Sequence, residues 1–150
     1  MKKTPFWWQL LLYLWVSPIS IACLPLALLA KWTGGGYVIH SGALEIWGGI
    51  VGQWLDKGRL PFLGAVNAIT IGHVIAGVSP QHLHNSRVHE RVHVEQFERW
   101  GVLFPLVYAL AGLRAHLQGK RFYWDNPYEI EARARATAAA RNKHSNPALC

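Results

Sequence analysis

The sequence predicts an α+β fold in which an N-terminal membrane helix is followed by a domain with a small β-meander and further helices. Three observations support this fold class. Residues 6–30 carry no charged side chain, residues 34–79 are short apolar runs punctuated by glycine, and the remainder of the chain has the caps and composition of helices. We place the membrane segment at residues 1–33 and one domain at residues 34–150.

The N-terminal apolar segment, residues 6–30, is long enough to cross a bilayer. At about 1.5 Å per residue, a helix of this length exceeds the roughly 30 Å of hydrocarbon. Lys2, Lys3 and Lys31 flank the segment, and Trp32 lies where an interfacial aromatic residue is expected. These features predict a membrane helix.

Two other interpretations of the same segment stay open. Residues 20–22 form a small-x-small pattern before Cys23, which is compatible with signal-peptide cleavage. A buried core helix would also be apolar. Cleavage would leave a second apolar run, residues 24–30, at the new N-terminus, and buried core helices are usually shorter. We therefore favour the membrane helix.

The glycine-rich region, residues 34–79, predicts the strands of the meander. Ile69, Ile71 and Val74 are among its β-branched residues, which favour strands, and its glycines mark turns. A short helix is expected at residues 50–55. The strand boundaries are not defined by the pattern.

The next two segments are predicted to be helical. Asn85 or Ser86 can cap a helix that runs to about Trp100. Residues 101–113 form a second apolar run of roughly 20 Å, which is too short to cross a bilayer comfortably.

The composition points to a membrane rather than to nucleic acid. Hydrophobic residues make up 51% of the chain and charged residues 15%, and the formal net charge is +7. Such an excess of positive charge suits anionic lipid or nucleic acid. The basic residues are dispersed and no nucleic-acid-binding motif accompanies them, so we expect membrane lipid and no nucleic acid as partner. Cys23 and Cys150 are the two cysteines, which excludes a disulfide framework and a cysteine-based zinc site.

Residues 89–93 read His-Glu-Arg-Val-His, an HExxH pattern. On a helix, His89 and His93 lie four residues apart on one face, where both imidazoles can bind one metal ion. Glu90 points beside that pair and can take a proton from a water molecule that zinc activates. The extended HExxHxxGxxH pattern is absent, because Gln96 and Arg99 occupy its glycine and third histidine positions.

A third ligand is therefore expected from another segment. Asn126 can cap and Pro127 can begin a final helix to about Arg141, with Glu129 or Glu131 in its first turns. Two residues are separated by about 200° on a helix, so only one of these carboxylates can face the metal. Glu129 could instead close a capping box with Asn126, and Glu129 or Glu131 could form an ion pair with the arginine four residues later, Arg133 or Arg135.

The HERVHVEQ segment together with the downstream NPYEIEAR segment resembles the gluzincin branch of zinc metallopeptidases, in particular small membrane-associated zincin-like proteins. This resemblance covers residues 68–141 and implies a minimal zincin-like domain that binds Zn²⁺ and hydrolyses peptide bonds. It implies His89, His93 and Glu129 as ligands, with Glu131 as the alternative, and Glu90 as general base. The peptide or protein substrate is not indicated.

The resemblance also implies a side chain that polarises the scissile carbonyl. Tyr123, Tyr128, His84 and His116 are the candidates for this role. The chain departs from the ExxxD pattern of related membrane enzymes, because Arg133 stands where that pattern has an aspartate. A supporting carboxylate near the ligands is therefore missing.

The metal hypothesis constrains the membrane topology. If both apolar runs crossed the bilayer, the HExxH residues and the third ligand would lie on opposite sides. We therefore expect the second run to be a core, re-entrant or interfacial helix. The predicted location is a bacterial inner membrane with a single span, and the lysine distribution slightly favours an extracytoplasmic site. The alternative function is a non-catalytic membrane scaffold or metal-binding protein that retains a zincin-like fold.

Overall fold

The computed structural model describes residues 5–59 and 64–145, with side chains described as far as residue 142. This part of the chain combines helices with one small sheet, which confirms the α+β prediction. The elements in chain order are α1 (Phe6–Trp32), β1 (Gly36–His40), β2 (Ala43–Trp47), α2 (Gly49–Asp56), β3 (Ala68–Ile71), β4 (Val74–Gly77), α3 (Pro80–Trp100), a 3-10 turn (Gly101–Leu103), α4 (Phe104–Leu117) and α5 (Pro127–Ser145).

The sheet has the strand order β1-β2-β4-β3. Strands β1 and β2 form an antiparallel hairpin, β2 pairs with β4 in parallel, and β3 pairs with β4 antiparallel. The predicted meander is therefore wrong. The reason is the helix α2, which was expected at residues 50–55. It follows β2 and carries the chain to the far edge of the sheet, so that β4 returns between β2 and β3.

Helices cover both faces of the sheet. Successive side chains of a strand point to opposite faces. In β2 and β4, Ile46 and Val74 pack with buried residues of α1 and α2, whereas Ala43 and Ile75 pack with Leu83 of α3. The sheet thus lies between α1 and α2 on one side and α3 on the other, while Val16 of α1 packs directly with Phe97 of α3 and Phe104 of α4.

Helix α1 packs on the sheet along a stripe of small side chains. Its buried residues are Val16, Cys23, Ala27 and Ala30. The three small residues share a core cluster with Ile46 and other residues of the sheet and α2. The N-terminal segment is thus a single long helix, and one of its faces belongs to the core of the domain.

Within residues 5–59 and 64–145, two helical stretches are long and apolar enough to cross a membrane, judged by length and composition. They are Phe6–Trp32, which is α1, and Pro80–Leu117, which joins α3, the 3-10 turn and α4. This supports membrane association, which the sequence predicted.

Helix α3 begins earlier than expected, at Pro80 instead of after Asn85 or Ser86. The Ser79 hydroxyl accepts a hydrogen bond from the His82 backbone N–H, and Pro80 occupies the first turn, where a missing N–H costs nothing. The prediction for α5 is confirmed at its start. The Asn126 side chain accepts a hydrogen bond from the Tyr128 N–H (3.1 Å), and the helix continues past residue 141 to Ser145.

Candidate metal centre

The two histidines of the HExxH pattern lie side by side in the middle of α3. Because they are four residues apart, their rings project from the same face of the helix. The Nε2 atom of His89 is 3.1 Å from that of His93. His93 is buried, and His89 is half-buried at the wall of a cavity.

The structure brings Glu129 of α5 to these histidines. Its Oε1 lies 3.2 Å from His93 Nε2, and its Oε2 lies 3.4 Å from His89 Nε2. Glu131 does not join this group. Its carboxylate accepts a hydrogen bond from the Gln96 side chain (3.0 Å) and faces Arg99 at 3.8 Å. Two residues along one helix are on different sides of it, as expected, and Glu129 is the one that faces the histidines.

The spacing of the three ligand atoms suits a zinc ion. Zinc binds imidazole nitrogen and carboxylate oxygen at about 2.0–2.2 Å in tetrahedral geometry, so neighbouring ligand atoms lie about 3.3–3.5 Å apart. The two Nε2 atoms are 3.1 Å apart, and they lie 3.2 and 3.4 Å from the two different oxygens of Glu129. One ligand atom from each of the three residues lies within 4.8 Å of the other two. A His₂Glu set also leaves one tetrahedral position for water, as catalytic zinc sites do.

Gln96 orients His93. The side-chain amide donates to the Tyr128 carbonyl (3.1 Å) and to the Glu131 carboxylate (3.0 Å), so its oxygen points the other way. That oxygen lies 2.8 Å from His93 Nδ1, which must therefore carry a proton and donate it. The lone pair of the neutral His93 ring is then on Nε2, the atom that faces His89 and Glu129.

The electrostatics of the site keep Glu129 ionised. Burial opposes its charge, but hydrogen bonds with His89 and His93 outweigh this effect and lower the pKa of the carboxyl well below its usual range. Burial also opposes the charged form of His93, yet Glu129 and Glu90 together raise the pKa of its imidazole above 6.5. Without a metal, the cluster therefore attracts a proton.

Glu90 lies beside the cluster and is 5% exposed. The Thr70 hydroxyl of β3 donates to Glu90 Oε2 at 2.7 Å, which holds one carboxylate oxygen in place. Burial raises the pKa of Glu90, and the neighbouring His93 and Thr70 offset only part of this rise. A carboxyl group with a raised pKa accepts and releases a proton near neutral pH more readily than an exposed glutamate.

Two tyrosines approach Glu129 from α4 and from the loop that follows it. Tyr108 donates a hydrogen bond to Glu129 Oε1 at 2.9 Å. Tyr123 lines the same cavity as Glu90 and Glu129. For both tyrosines, burial and the nearby Glu129 charge raise the phenol pKa, so both are neutral donors at physiological pH.

The other residues considered for carbonyl polarisation lie elsewhere. Tyr128 packs its ring against Phe104, with ring centroids 5.2 Å apart. His84 is exposed on α3, where its Nδ1 is 3.5 Å from an Arg87 nitrogen, and His116 is exposed on the last turn of α4. Of the four side chains considered, the structure places only Tyr123 at the cavity.

Arg133 stands where the ExxxD pattern has an aspartate. Its guanidinium lies 3.5 Å from Glu129 Oε2, also bonds the Trp124 carbonyl, and stacks over the Trp124 ring at 5.2 Å. The chain therefore has a cation, and not a carboxylate, beside its candidate ligand. The positive charge of Arg133 partly neutralises that of Glu129 and so weakens the attraction of Glu129 for a metal ion.

A cavity of about 320 Å³ opens onto the cluster. His89, Glu90, His93 and Glu129 form its polar end together with Thr70. Most of the remaining wall is apolar and comes from β3 and its preceding loop, the end of α3 and the start of α4: Val66, Ala68, Ile69, Ile71, Phe97, Phe104 and Pro105. The cavity can hold a small apolar group next to polar, titratable side chains.

The sequence places Tyr108 in the second apolar run, where it is expected to pack beside the site or enter lipid, but neither its hydrogen bond to Glu129 nor that of Thr70 to Glu90 was anticipated. The hydrogen bond of Tyr108 is weakly indicated by the sequence, since a tyrosine in an apolar helical run usually finds a hydrogen-bond partner for its hydroxyl. That of Thr70 is not indicated, because a threonine between two isoleucines is an ordinary strand residue.

Comparison with known protein families, with curated proteins and with solved structures found no match to this chain.

Proposed function

We propose that the protein is a membrane-associated zinc metallopeptidase with a zincin-like domain. The observation that carries this proposal is the convergence of two imidazoles and one carboxylate from α3 and α5, with ligand atoms 3.1–3.4 Å apart. The HExxH pattern and the resemblance to gluzincins support the same function. The location in a bacterial inner membrane and the extracytoplasmic side of the site remain predictions from the sequence.

His89, His93 and Glu129 would hold the zinc ion, which acts as a Lewis acid and lowers the pKa of water to about 7. Glu90 accepts the proton of the attacking water and delivers it to the leaving amine. Thr70 holds one oxygen of that carboxylate at 2.7 Å, so the other oxygen remains available for the proton. Tyr123 is positioned at the cavity to donate to the oxygen of the scissile carbonyl.

The lining of the cavity supports a preference for peptides with an apolar side chain beside the scissile bond. Its apolar wall accommodates an aliphatic or aromatic side chain next to the scissile bond, which excludes water from the reacting groups. No charged side chain stands among the lining residues away from the cluster. We therefore expect cleavage beside apolar residues.

Zinc binding is the first test of this proposal. Purified wild-type protein should contain about one zinc per chain by elemental analysis, and His93→Ala should lose most of it while it keeps its far-ultraviolet circular dichroism. Val88→Ala, on the exposed side of the same helix, is the matched control and should keep its zinc. A folded wild-type protein that binds no zinc contradicts the proposal.

Peptide cleavage is the second test. With an unbiased peptide mixture analysed by mass spectrometry, Glu90→Gln should retain zinc and lose about 10²–10⁴-fold in rate, because a general base is removed. If wild type and Glu90→Gln bind zinc equally and neither cleaves any peptide, the activity is absent.

The second candidate, a non-catalytic membrane scaffold that retains a zincin-like fold, is favoured by Arg133. A cation 3.5 Å from Glu129 weakens the negative charge that a metal ligand needs. In this case the protein contacts of Gln96 would join α3 to α5, and Glu90→Gln would leave membrane binding unchanged.

A further inference from the structure

The length of α1 fits a transmembrane helix, but its attachments to the domain are distributed along most of it. Near one end, the Tyr13 hydroxyl donates to the Gly42 carbonyl at 3.0 Å. In the middle, Ser20 accepts a hydrogen bond from the His73 N–H at 3.0 Å. Near the other end, Thr33 accepts one from the Ile50 N–H at 2.9 Å.

These attachments span the full thickness of a bilayer. Tyr13 and Thr33 are separated by about 30 Å along the helix at about 1.5 Å per residue, and the hydrocarbon core is also about 30 Å thick. If α1 crossed the membrane, the attached sheet would lie inside the hydrocarbon. Among the described residues no strand pairs with the outer edge of β1, and hydrocarbon does not tolerate unpaired backbone groups of a sheet edge. A perpendicular orientation of α1 is therefore unfavourable.

The outer face of α1 is nevertheless strongly apolar and exposed. Opposite the buried small residues lie large side chains with between 47% and 62% exposure: Leu11, Leu14, Trp15, Ile21, Leu24 and Leu28. A face of this length exceeds the apolar patches that monomeric soluble proteins leave in water. The domain takes the place of the polar face that an interfacial helix usually has.

Two neighbouring elements extend this face. The Trp15 indole packs so closely on Gly101 that a Cβ would not fit there, which connects α1 to the 3-10 turn and α4. The end of the 3-10 turn and the outer side of α4 carry an exposed leucine ridge: Leu103, Leu106, Leu110, Leu113 and Leu117. On the other side of α1, β1 contributes Tyr37, which lies under Lys31, and Ile39, which is 77% exposed.

The charge distribution matches an anionic lipid surface. All eight acidic residues lie between residues 45 and 98 or between 125 and 131. Residues 1–44 and 99–124, which supply α1, β1 and α4, contain none, but they contain Lys31, Arg114, Lys120 and Arg121. Basic residues beside an apolar face attract the anionic headgroups of a membrane surface.

We propose that the protein lies on one leaflet of a lipid bilayer, with α1 parallel to the membrane plane and its outer face, together with the leucine ridge of α4, inserted among the lipids. The inference concerns the membrane surface and does not depend on the metal centre. It replaces the single span expected from hydropathy with an in-plane helix, so that both ends of α1 and the whole domain lie on the same side.

Depth measurements on reconstituted full-length protein test this arrangement. Nitroxide labels are attached at Leu14, Ile21 or Leu28 in a cysteine-free background, since these positions are seven residues apart and share one face. In vesicles of phosphatidylcholine and phosphatidylglycerol, an in-plane helix places all three labels at the same shallow depth, about 5–10 Å. A spanning helix separates consecutive labels by about 10 Å in depth. That second result overturns the proposal.

A label at Val88, on the opposite side of the molecule, is the control and should remain in water in either orientation. Dipolar coupling between the Ile21 labels of two molecules, with no contact between label and lipid, would place a second copy of the chain on this face. That result also overturns the proposal.

Vesicle binding gives an independent measurement. Leu24→Glu should weaken vesicle binding by about tenfold or more, because an apolar side chain that is inserted among the lipids is replaced by a charge. Val88→Glu, of similar exposure, should not change it. Both variants should keep their zinc, which distinguishes this test from that of the metal centre. Equal binding by wild type and Leu24→Glu contradicts the inference.

Discussion

The two faces of the sheet are covered by helices of opposite character. On one face, α1 has no charged residue between residues 6 and 30 and contacts the sheet through alanine and cysteine. On the other face, α3 carries the HExxH residues and an ion pair in which the half-buried Arg87 binds the buried Glu45 through two contacts of 2.9 Å. The sheet thus lies between an apolar helix whose outer face is exposed and a polar helix with titratable side chains. Stability on the first side depends on packing, and on the second side it depends on charge pairing.

The largest expected effect comes from breaking the charge pairing. Arg87→Leu should destabilise the protein by about 3–5 kcal/mol, because Glu45 then remains buried without its partner. The double variant Glu45→Leu/Arg87→Leu should recover most of this loss, since no charge is left unpaired. Denaturant unfolding in mild detergent measures both. A single variant as stable as wild type would show that the polar side does not depend on this pair.

A smaller effect is expected for the support of the candidate ligand. Tyr108→Phe removes the hydrogen bond to Glu129 and keeps the ring, so zinc affinity should fall by about 10–100-fold, as for other groups that orient metal ligands. Competition with a chromophoric chelator measures the affinity. Tyr13→Phe, which removes a hydroxyl on the other side of the sheet, is the control. An unchanged affinity of Tyr108→Phe would mean that this hydroxyl does not support metal binding.

Packing on the α1 side can be tested within a single helix. Ala27 is 7% exposed and faces the sheet, whereas Leu28 is 51% exposed on the outer face. Ala27→Leu should cost about 1–3 kcal/mol through overpacking, and Leu28→Ala should stay within about 0.5 kcal/mol in detergent. Thermal or denaturant unfolding compares the two. Equal destabilisation by both changes would indicate that the outer face also packs against protein.

The mildest perturbation is a change of pH without metal. The raised pKa of His93 stabilises the folded protein, fully so below pH 6.5. This stabilisation is lost as the pH rises through the pKa of His93 in the folded state. The lowered pKa of Glu129 gives stability that is present above 4.5 and is lost as the pH falls through its folded value. The raised pKa of Glu90 also gives stability that is present below 4.5 and is lost as the pH rises through its folded value. Chelator-treated protein should therefore be most stable near about pH 4.5 and should lose stability as the pH rises further.

Zinc should change this profile. Binding requires the neutral His93 imidazole, so zinc affinity should increase with pH until the proton of His93 has been released. Denaturation midpoints with chelator and with zinc, measured from acidic to mildly alkaline pH, show the difference. A metal-free protein that gains stability above neutral pH would contradict the assigned shift of His93.

The cluster of His89, His93 and Glu129 was easier to predict than the strand order of the sheet. His89 and His93 are four residues apart, and Asn126 with Pro127 marks the start of α5, so local rules place these residues on their helices. Glu129 and Glu131 could not be distinguished by local rules, because the choice depends on how α5 docks on α3 through Gln96. Likewise, local rules do not fix the start of α3, because Ser79, Asn85 and Ser86 are all suitable cap residues and Ser79 is the one that caps the helix.

The sheet order and the orientation of α1 depend on tertiary contacts. No local pattern indicates that β4 lies between β2 and β3, since this arrangement follows from the crossover through α2. Hydropathy reports that α1 is apolar on all sides, but it does not distinguish the face with Ala27 from the face with Leu28. Only the docking of the sheet along the helix reveals that difference.

The hydrogen bonds of Gln96 and Asn126 have a thermodynamic consequence for metal binding. Gln96 ties α3 to α5, and the Asn126 amide donates to the Tyr108 carbonyl at 3.0 Å, so the helix that carries Glu129 is fixed by protein contacts alone. The candidate ligands therefore lose their conformational entropy when the protein folds, before any metal binds. Metal uptake should resemble the filling of a rigid chelator, fast and with little change in heat capacity, unlike small zinc domains that fold only when the metal binds.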